Sequence, residues 1–202
     1  MLKISLDQRY NVDNFHAYSE ICPGEDKLLE RESEEHKMNS IFHRISVRKY
    51  EDKPVEKEKI LQILKAGMQA PSACNQQPWE FYVVTNPEKI KALSKATPYA
   101  GCAANAPVVI VPVYRKEGLI APDFAQIDLS IAQENMWLET DAQGLGGVWI
   151  GIAPMEERME EVHKLLELPK EVAVFSLFAL GYPAESRAQE DRFHPERIHF
   201  LE

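Results

Sequence analysis

The chain has 202 residues, of which 45% are hydrophobic and 27% are charged, and its formal net charge is −9. This length is sufficient for one domain with a substantial core. No run approaches the roughly 20 apolar residues of a membrane-spanning helix, and the first residues lack the apolar centre of a signal peptide. The acidic balance disfavours nucleic-acid binding, which usually needs basic surfaces. We therefore expect a cytoplasmic protein that binds neither membranes nor nucleic acid.

The cysteines and histidines give no metal or disulfide pattern. Cys22, Cys74 and Cys102 lie far apart in the sequence. An odd number of cysteines without close pairs is typical of a reducing compartment. His194 and His199 are the nearest pair of histidines, and their spacing does not suit a common zinc site. We expect no bound metal.

The first 39 residues differ in composition from the rest of the chain. They are polar, weakly periodic and rich in acidic side chains. We predict an N-terminal appendage over 1–39, with a short helix near 26–37, followed by one folded domain over 40–202.

The first half of that domain predicts three helices and two strands. Asn39 or Ser40 can cap a short helix, and an apolar stripe over 60–68 predicts a second helix that ends before Pro71. A strand is predicted over 81–85. The sequence Asn86-Pro87-Glu88 is typical of the start of a third helix. A second strand is predicted over 108–114, where Pro112 indicates an edge position or a bulge.

The second half predicts a long helix, two strands and one shorter helix. The helix over 122–142 is apolar on so many positions that we expect burial on most sides. A short strand over 148–150, a helix around 159–166 and a fully apolar strand over 172–180 follow. The last twenty residues are polar, with a few apolar anchors. Helices and strands alternate without a regular βα repeat, which predicts an α+β layer fold around a small sheet.

Residues 43–50 (HRISVRKY) form the first of three segments that could bind a ligand. In an extended backbone Arg44, Ser46 and Arg48 point to one side. Two guanidinium groups and a hydroxyl make a suitable phosphate clamp, because Arg pairs bidentately with phosphate oxygens. The alternative is an ordinary solvated basic face.

Residues 70–81 (APSACNQQPWEF) form the second segment. The small residues Ser72 and Ala73 would let a flat ring approach the backbone. Asn75 and Gln77 offer donors and acceptors suited to the edge of a heterocycle. The alternative is a connecting loop that leads to a core tryptophan, Trp79.

Residues 144–151 (GLGGVWIG) form the third segment. It follows a helix and opens a strand, which is the reverse of the order in a Rossmann dinucleotide site. We expect its glycines to bring the main chain close to a planar ligand. The alternative is a simple helix end and turn, for which Gly144 alone would suffice.

Taken together, these segments resemble the nitroreductase family of FMN-dependent oxidoreductases. Their order and spacing match from about residue 40 to the C-terminus, and the match extends to the sequence LGYP at 180–183 and to Asp191-Arg192-Phe193. The resemblance implies an α+β sandwich with a central, mainly antiparallel sheet flanked by helices. It also implies an intertwined homodimer with two FMN molecules at the interface.

The resemblance assigns cofactor-binding roles to ten residues. Those that bind the ribityl phosphate are Arg44, Ser46, Arg48 and Arg192. Those in the loop that the second protomer contributes to the same flavin are Pro71, Ser72, Ala73 and Asn75. Those whose main chain lies beside the reactive N5 edge are Ile150 and Gly151. Many relatives have Arg where Ile45 stands and some have Lys where Glu190 stands, so we expect a weaker phosphate site here.

The activity implied by the resemblance is hydride transfer from NADH or NADPH through FMN to a small acceptor, such as a nitro compound or a quinone, by a ping-pong mechanism. The flavin supplies the chemistry, so no catalytic protein nucleophile is expected. One alternative is a specialised flavoenzyme of the same fold, a dehalogenase or a flavin-fragmenting enzyme, although 101–123 shows no inserted lid. Another is a flavin-binding protein without turnover. Cys74 is interpreted as an apolar filler rather than a redox thiol.

Overall fold

The computed structural model describes residues 39–201, so the predicted appendage and its helix near 26–37 lie outside the described residues. Within that range the chain forms five helices, five strands and four short 3₁₀ turns. The helices are α1 Ser40–His43, α2 Lys57–Met68, α3 Pro87–Leu93, α4 Ala125–Ala142 and α5 Glu156–Leu166. The strands are β1 Trp79–Val84, β2 Val108–Arg115, β3 Gly146–Gly151, β4 Val172–Val174 and β5 Ser176–Gly181. The turns are Ala73–Asn75, Ala100–Asn105, Pro122–Phe124 and Pro195–Arg197.

The strands form one antiparallel sheet in the order β1-β2-β5-β3, and β4 pairs with β2 beyond the end of β5. This confirms the predicted α+β class and the antiparallel sheet. β3 lies at one edge, paired with β5 from Gly146 opposite Gly181 to Gly151 opposite Ser176. Its outer side contacts the segment before Tyr50, through a parallel bridge between Ser46 and Gly147.

Helices cover both faces of the sheet because its central strands are apolar on both sides. Val109, Val111 and Val113 of β2 pack into the core under α3 and α5. Val108 and Ile110 of the same strand pack into the core under α2 and α4. The alternation follows from the two-residue period of a strand.

The predicted helix starts are confirmed at Asn39 and Asn86. The Asn39 side chain accepts a hydrogen bond from the Ile41 N–H at 3.0 Å. The Asn86 side chain accepts from the N–H groups of Glu88 and Lys89, both at 3.0 Å. These bonds satisfy amide groups that the first helical turn leaves without a partner.

α4 is buried on one face only. Leu129, Ala132 and Met136 are fully buried, whereas Ile127 is 54% exposed and Ile131 is 37% exposed. The expectation that this helix is buried on most sides is therefore wrong for a single chain. None of the helices in the described part of the chain is long and apolar enough to cross a membrane.

Pro112 lies in a central strand, so the predicted edge position is wrong, but the predicted bulge is present. β2 pairs with β1 on one side and with β4 and β5 on the other. Val113 lies opposite Val174 and Ile110 lies opposite Phe178, so the β4–β5 side contains one extra residue. The Pro112 carbonyl accepts from the Phe175 N–H there. The bulge also divides the single strand predicted over 172–180, and it falls where the proline has no N–H to donate.

Candidate functional site

Arg44 leaves the end of α1 and packs against α4. Its guanidinium carbon lies 4.1 Å from the centroid of the Trp137 ring. The Arg44 Nε is 3.5 Å from a carboxylate oxygen of Glu134, and it is buried without a hydrogen-bond partner. The Trp137 Nε1 is also buried and unpaired. Because a buried donor without a partner costs free energy, both groups favour an acceptor oxygen arriving beside them.

Arg44 and Trp137 line a cavity of about 150 Å³ between α1, the end of α4 and the start of β3. His43 and Arg187 add potential positive charge, and Asp141 lies at the same cavity. The His43 Nδ1 is 2.9 Å from a carboxylate oxygen of Asp141. Small-molecule sites commonly occupy about 300–1,000 Å³. The cavity of one chain is therefore too small for a whole cofactor and could hold only a part of one.

Ser46 and Arg48 do not line this cavity. The Val47 N–H donates to the Gly147 carbonyl at 2.9 Å, so the segment runs beside the start of β3. Arg48 is exposed, its backbone N–H donates to Glu185, and its Nη1 is 3.5 Å from the Ser46 carbonyl. The structure thus brings Arg44, but not Ser46 or Arg48, to the cavity.

The Arg48 guanidinium acts electrostatically on the buried Tyr50 and on the partly buried Cys102. Burial raises the pKa of the Tyr50 hydroxyl, which donates to the carbonyls of Val47 and Ala179. Burial also raises the pKa of the Cys102 thiol, and the positive charge of Arg48 opposes that rise. Arg48 therefore provides positive charge on a different side of this segment from Arg44.

The loop after α2 contains the predicted residues Pro71, Ser72, Ala73 and Asn75. The Ser72 Oγ accepts from the Gln77 N–H at 3.0 Å, and the Ala73 N–H donates to the Asp128 carboxylate at 2.9 Å. Asn75 is exposed.

This loop and Arg44 contact different parts of α4. Asp128 and Trp137 are nine residues apart, which is about 14 Å along a helix. None of the four loop residues lines the cavity beside Arg44 in the same chain. One chain therefore does not bring the predicted loop and the predicted clamp into one cavity.

The glycines of the third segment have different surroundings. Gly144 adopts a φ of 72° after α4, as the alternative interpretation of a helix end requires. A Cβ at Gly146 would lie 2.5 Å from a Val47 methyl carbon, and one at Gly147 would lie 2.7 Å from the Phe178 ring. These two glycines allow close packing within the chain, and both also line the cavity beside Arg44, so their predicted role at a ligand stays a prediction.

Gly151, at the end of β3, has the open space expected beside a planar ligand. No heavy atom lies within 4 Å of a Cβ placed there, whereas Ile150 next to it is buried. Gly147 uses the outer edge of β3 for its bond with Val47, and strand alternation places the main-chain groups of Trp149 and Gly151 at the same edge. Free backbone donors and acceptors are thus available at this end.

The two ends of β3 together fit a flavin mononucleotide. Gly146 lines the cavity with the unpaired Arg44 and Trp137 donors, and Gly151 lies five residues further on, about 17 Å away along a strand. That separation is comparable with the extended length of FMN. The buried donors of Arg44 and Trp137 can hold an anionic group at the first end, although the carboxylates of Asp141 and Glu185 also line it. The open space at Gly151 can hold a flat ring at the second end.

The segment after β5 returns to α1. The Gln189 Nε2 donates to the carbonyls of Arg44 at 2.8 Å and Ile41 at 3.2 Å. Arg192, three residues later, is exposed. The structure therefore places the chain that carries Arg192 on the same side of the molecule as Arg44.

Three residues at or near the site were not assigned from the sequence: Gln76, Asp128 and Trp137. Asp128 had a usable signal, because it is a carboxylate on the same helical face as Leu129 and Ala132. Trp137 had none beyond its aromatic character. Cys74 is exposed, so its interpretation as an apolar filler is wrong for this chain.

Comparison with known proteins identifies the family. The model of the nitroreductase family matches residues 41–98 and 95–182. A protein of Methanothermobacter thermautotrophicus, provisionally named NADH dehydrogenase/NAD(P)H nitroreductase, is 40% identical over 162 residues, which are 80% of this chain and 85% of that protein.

Two solved structures extend the similarity to the fold. A provisionally named NADH oxidase from Clostridium acetobutylicum has a TM-score of 0.78 and 40% identity, covering 81% of this chain and 99% of that one. An FMN-dependent nitroreductase from Clostridium difficile has a TM-score of 0.76 and 30% identity, covering 82% and 99%. The family model matches most of residues 41–182 and the relative from Methanothermobacter is 40% identical over four-fifths of the chain, so this chain belongs to the nitroreductase family.

Proposed function

We propose that this chain is an oxidoreductase that binds FMN and transfers a hydride from NADH or NADPH to a small acceptor, such as a nitro compound or a quinone. The observation that carries the proposal is the arrangement along β3, with buried unpaired donors at one end and open main chain at Gly151 at the other. The FMN-dependent relative from Clostridium difficile supports the choice of cofactor.

The residues of this chain have distinct roles in the proposal. Arg44 binds the phosphate and is oriented by its contact with Trp137, and Arg192 adds positive charge from the segment that Gln189 holds against Arg44. Ser46 and Arg48 lie outside the cavity beside Arg44, so their contribution to phosphate binding stays a prediction. Ile150 and Gly151 present main chain to the ring. Pro71, Ser72, Ala73 and Asn75 form the wall that a second protomer contributes. No side chain acts as a nucleophile.

A bound FMN supplies reversible two-electron chemistry as a hydride acceptor and donor. The main chain of Ile150 and Gly151 would orient the ring, beside the open space at Gly151. The nucleotide donor leaves before the acceptor enters the same space, which gives a ping-pong sequence.

The proposed site requires a homodimer. In one chain, the loop of Pro71–Asn75 and the cavity beside Arg44 are separate, and the exposed apolar residues of α4 are uncovered. Monomeric proteins rarely leave large contiguous apolar patches in water. A second copy would cover α4 and would bring its loop to the first copy's flavin.

The free thiols of Cys74 and Cys102 are consistent with a reducing compartment, and we infer that the protein acts in the cytoplasm.

The test is the visible spectrum of the purified protein, recorded without oxygen before and after NADH or NADPH. We expect a yellow protein that bleaches with at least one nucleotide and recovers its colour when a quinone or nitroarene is added. A protein that cannot be loaded with FMN would contradict the proposal. Flavin that stays oxidised with both nucleotides would contradict the proposed donor.

A further inference from the structure

The loop between α2 and β1 has an unusual backbone. Cys74, Asn75 and Gln77 have φ values of 52°, 50° and 44°. Residues other than glycine rarely adopt this left-handed region, because the Cβ approaches the following carbonyl. Such a conformation persists only where surrounding contacts impose it, and it is often found at functional sites. In this loop, contacts with α4 and with the segment before it impose the conformation.

One of these contacts is Asp128, a carboxylate that is 2% exposed at the start of α4. One of its oxygens accepts from the Ala73 N–H at 2.9 Å. The other accepts from the Gln76 Nε2 at 2.7 Å. Asp128 thus holds the loop immediately before and after the left-handed residues Cys74 and Asn75.

Gln76 extends this network to the segment before α4. Its Nε2 also donates to the Ala121 carbonyl, and its Oε1 accepts from the Ala121 N–H, both at 2.9 Å. Its own carbonyl accepts from the Arg115 guanidinium at 3.0 Å. Both amide hydrogens are used, which fixes the orientation of the amide, since the reverse orientation would bring Oε1 against the Asp128 carboxylate.

We propose that Asp128 and Gln76 are positioning residues for flavin binding: their mutual hydrogen bond holds the loop of Pro71–Gln77 in its left-handed path, so that Ser72 and Asn75 face the flavin. The inference rests on the proposed function, because this loop is the proposed wall of the flavin site. Asp128 and Gln76 act through the loop and do not themselves contact the flavin.

The test is a reversal of the hydrogen bond. Gln76→Glu brings two carboxylates together, and Asp128→Asn leaves one of its two donors without an acceptor. In the double variant Q76E/D128N, the new amide donates to residue 76 and accepts from the Ala73 N–H. The charge of the wild type is conserved, but the Ala121 carbonyl loses its donor and faces a carboxylate oxygen of residue 76 instead.

The primary measurement is the dissociation constant for FMN, obtained by quenching of flavin fluorescence well below the melting temperature of each folded variant. We expect each single variant to bind FMN about 10- to 100-fold more weakly and the double variant to recover part of this loss, since paired groups are coupled in a double-mutant cycle. Gln62→Ala, at an exposed position of α2, is the control and should bind as the wild type does.

Gln76→Ala keeps the test decisive if a charged variant fails to fold, because it introduces no charge. We expect FMN affinity to fall at least about 5-fold in this variant.

Unchanged affinity in Gln76→Ala, or single variants that lower only the melting temperature, would overturn the inference. So would a double variant no better than the singles. If the wild type itself does not bind FMN, the proposed function fails together with this inference, and that result is distinguishable from failure of the variants alone.

Discussion

Arg44 and Arg48 are four residues apart but have different electrostatic surroundings. Arg44 is packed against the Trp137 ring beside a cavity, and its Nε lacks a hydrogen bond. Arg48 is exposed and lies within electrostatic reach of Cys102. The two arginines can therefore be tested separately.

Arg44→Ala should reduce the affinity for FMN by about 2 kcal/mol, roughly 30-fold, because charge-assisted hydrogen bonds to a phosphate are lost. Riboflavin, which lacks the phosphate, should bind the variant and the wild type equally. Titration of both flavins into the apoprotein measures the two effects. Lys49→Ala, which removes a neighbouring exposed charge, is the control. Equal loss for FMN and riboflavin would mean that Arg44 does not contact the phosphate.

Arg48→Ala should slow the alkylation of Cys102 near neutral pH. Burial already raises the pKa of this thiol, and Arg48 lowers it, so removal of the guanidinium raises the pKa further and decreases the thiolate fraction. Peptide mass spectrometry after timed treatment with iodoacetamide measures the rate at each cysteine. The exposed Cys74 serves as an internal standard. A faster reaction at Cys102 would contradict this assignment.

Sequence reasoning at this scale could name charged residues but not their orientation. Arg44 and Arg48 share one side of an ideal extended backbone, yet Arg44 is the C-terminal cap of α1 and turns towards α4. Gln76 and Asp128 were not assigned because their bond joins residues 52 positions apart. A contact of this kind depends on the packing of α4 against the loop.

At the scale of elements, α5 ends in a conformation that its own sequence does not favour. Glu167 adopts a φ of 54°, its N–H donates to the Lys164 carbonyl, and the next N–H, that of Leu168, donates to the His163 carbonyl. This is the Schellman arrangement, in which glycine is the preferred residue.

Glu167→Gly should stabilise the protein by about 1 kcal/mol, since glycine adopts a positive φ without the steric cost of a Cβ. Glu161→Gly, an equally exposed position inside α5, should destabilise it by about 1 kcal/mol. Urea denaturation of both variants gives the comparison. If the two variants shift in the same direction, the left-handed end of α5 is not a source of strain.

Most elements could be predicted from local signals. Side-chain caps at Asn39 and Asn86 and the apolar period of α2 indicated their helices correctly. The position of Pro112 within the sheet could not be predicted, because strand order depends on pairing between distant segments. The break at Phe175 was equally hidden, since a bulge is defined by its partner strand.

At the scale of the whole molecule, the exposed face of α4 is the main unexplained surface of a single chain. Phe124, Ile127 and Ile131 are exposed there, and Ile41 and Phe42 of α1 are exposed on a helix that packs against α4. The fold class could be predicted from the sequence, whereas the assignment of this face to a second copy rests on the family resemblance.

Ile131→Glu should prevent formation of the proposed dimer, because it places a charge on a surface that this dimer would remove from water. We expect a monomer in light scattering after gel filtration, together with loss of bound FMN. Tyr99→Glu is the control, because Tyr99 is exposed and precedes the Ala100–Asn105 turn, away from α4, and this variant should remain a dimer. A monomeric variant that retains FMN would show that one chain binds the flavin without its partner.

The proline in the middle of β2 has a consequence for how the chain finds its sheet. A strand that slides by one residue along its neighbour moves each of its side chains to the opposite face of the sheet. Opposite Pro112, an incorrectly aligned strand would also present a carbonyl to a position that has no hydrogen to offer. In the observed alignment, the extra residue at Phe175 lies opposite Pro112 and donates its N–H to the proline carbonyl. Pro112 thus disfavours misaligned pairings during folding, because its backbone nitrogen carries no hydrogen.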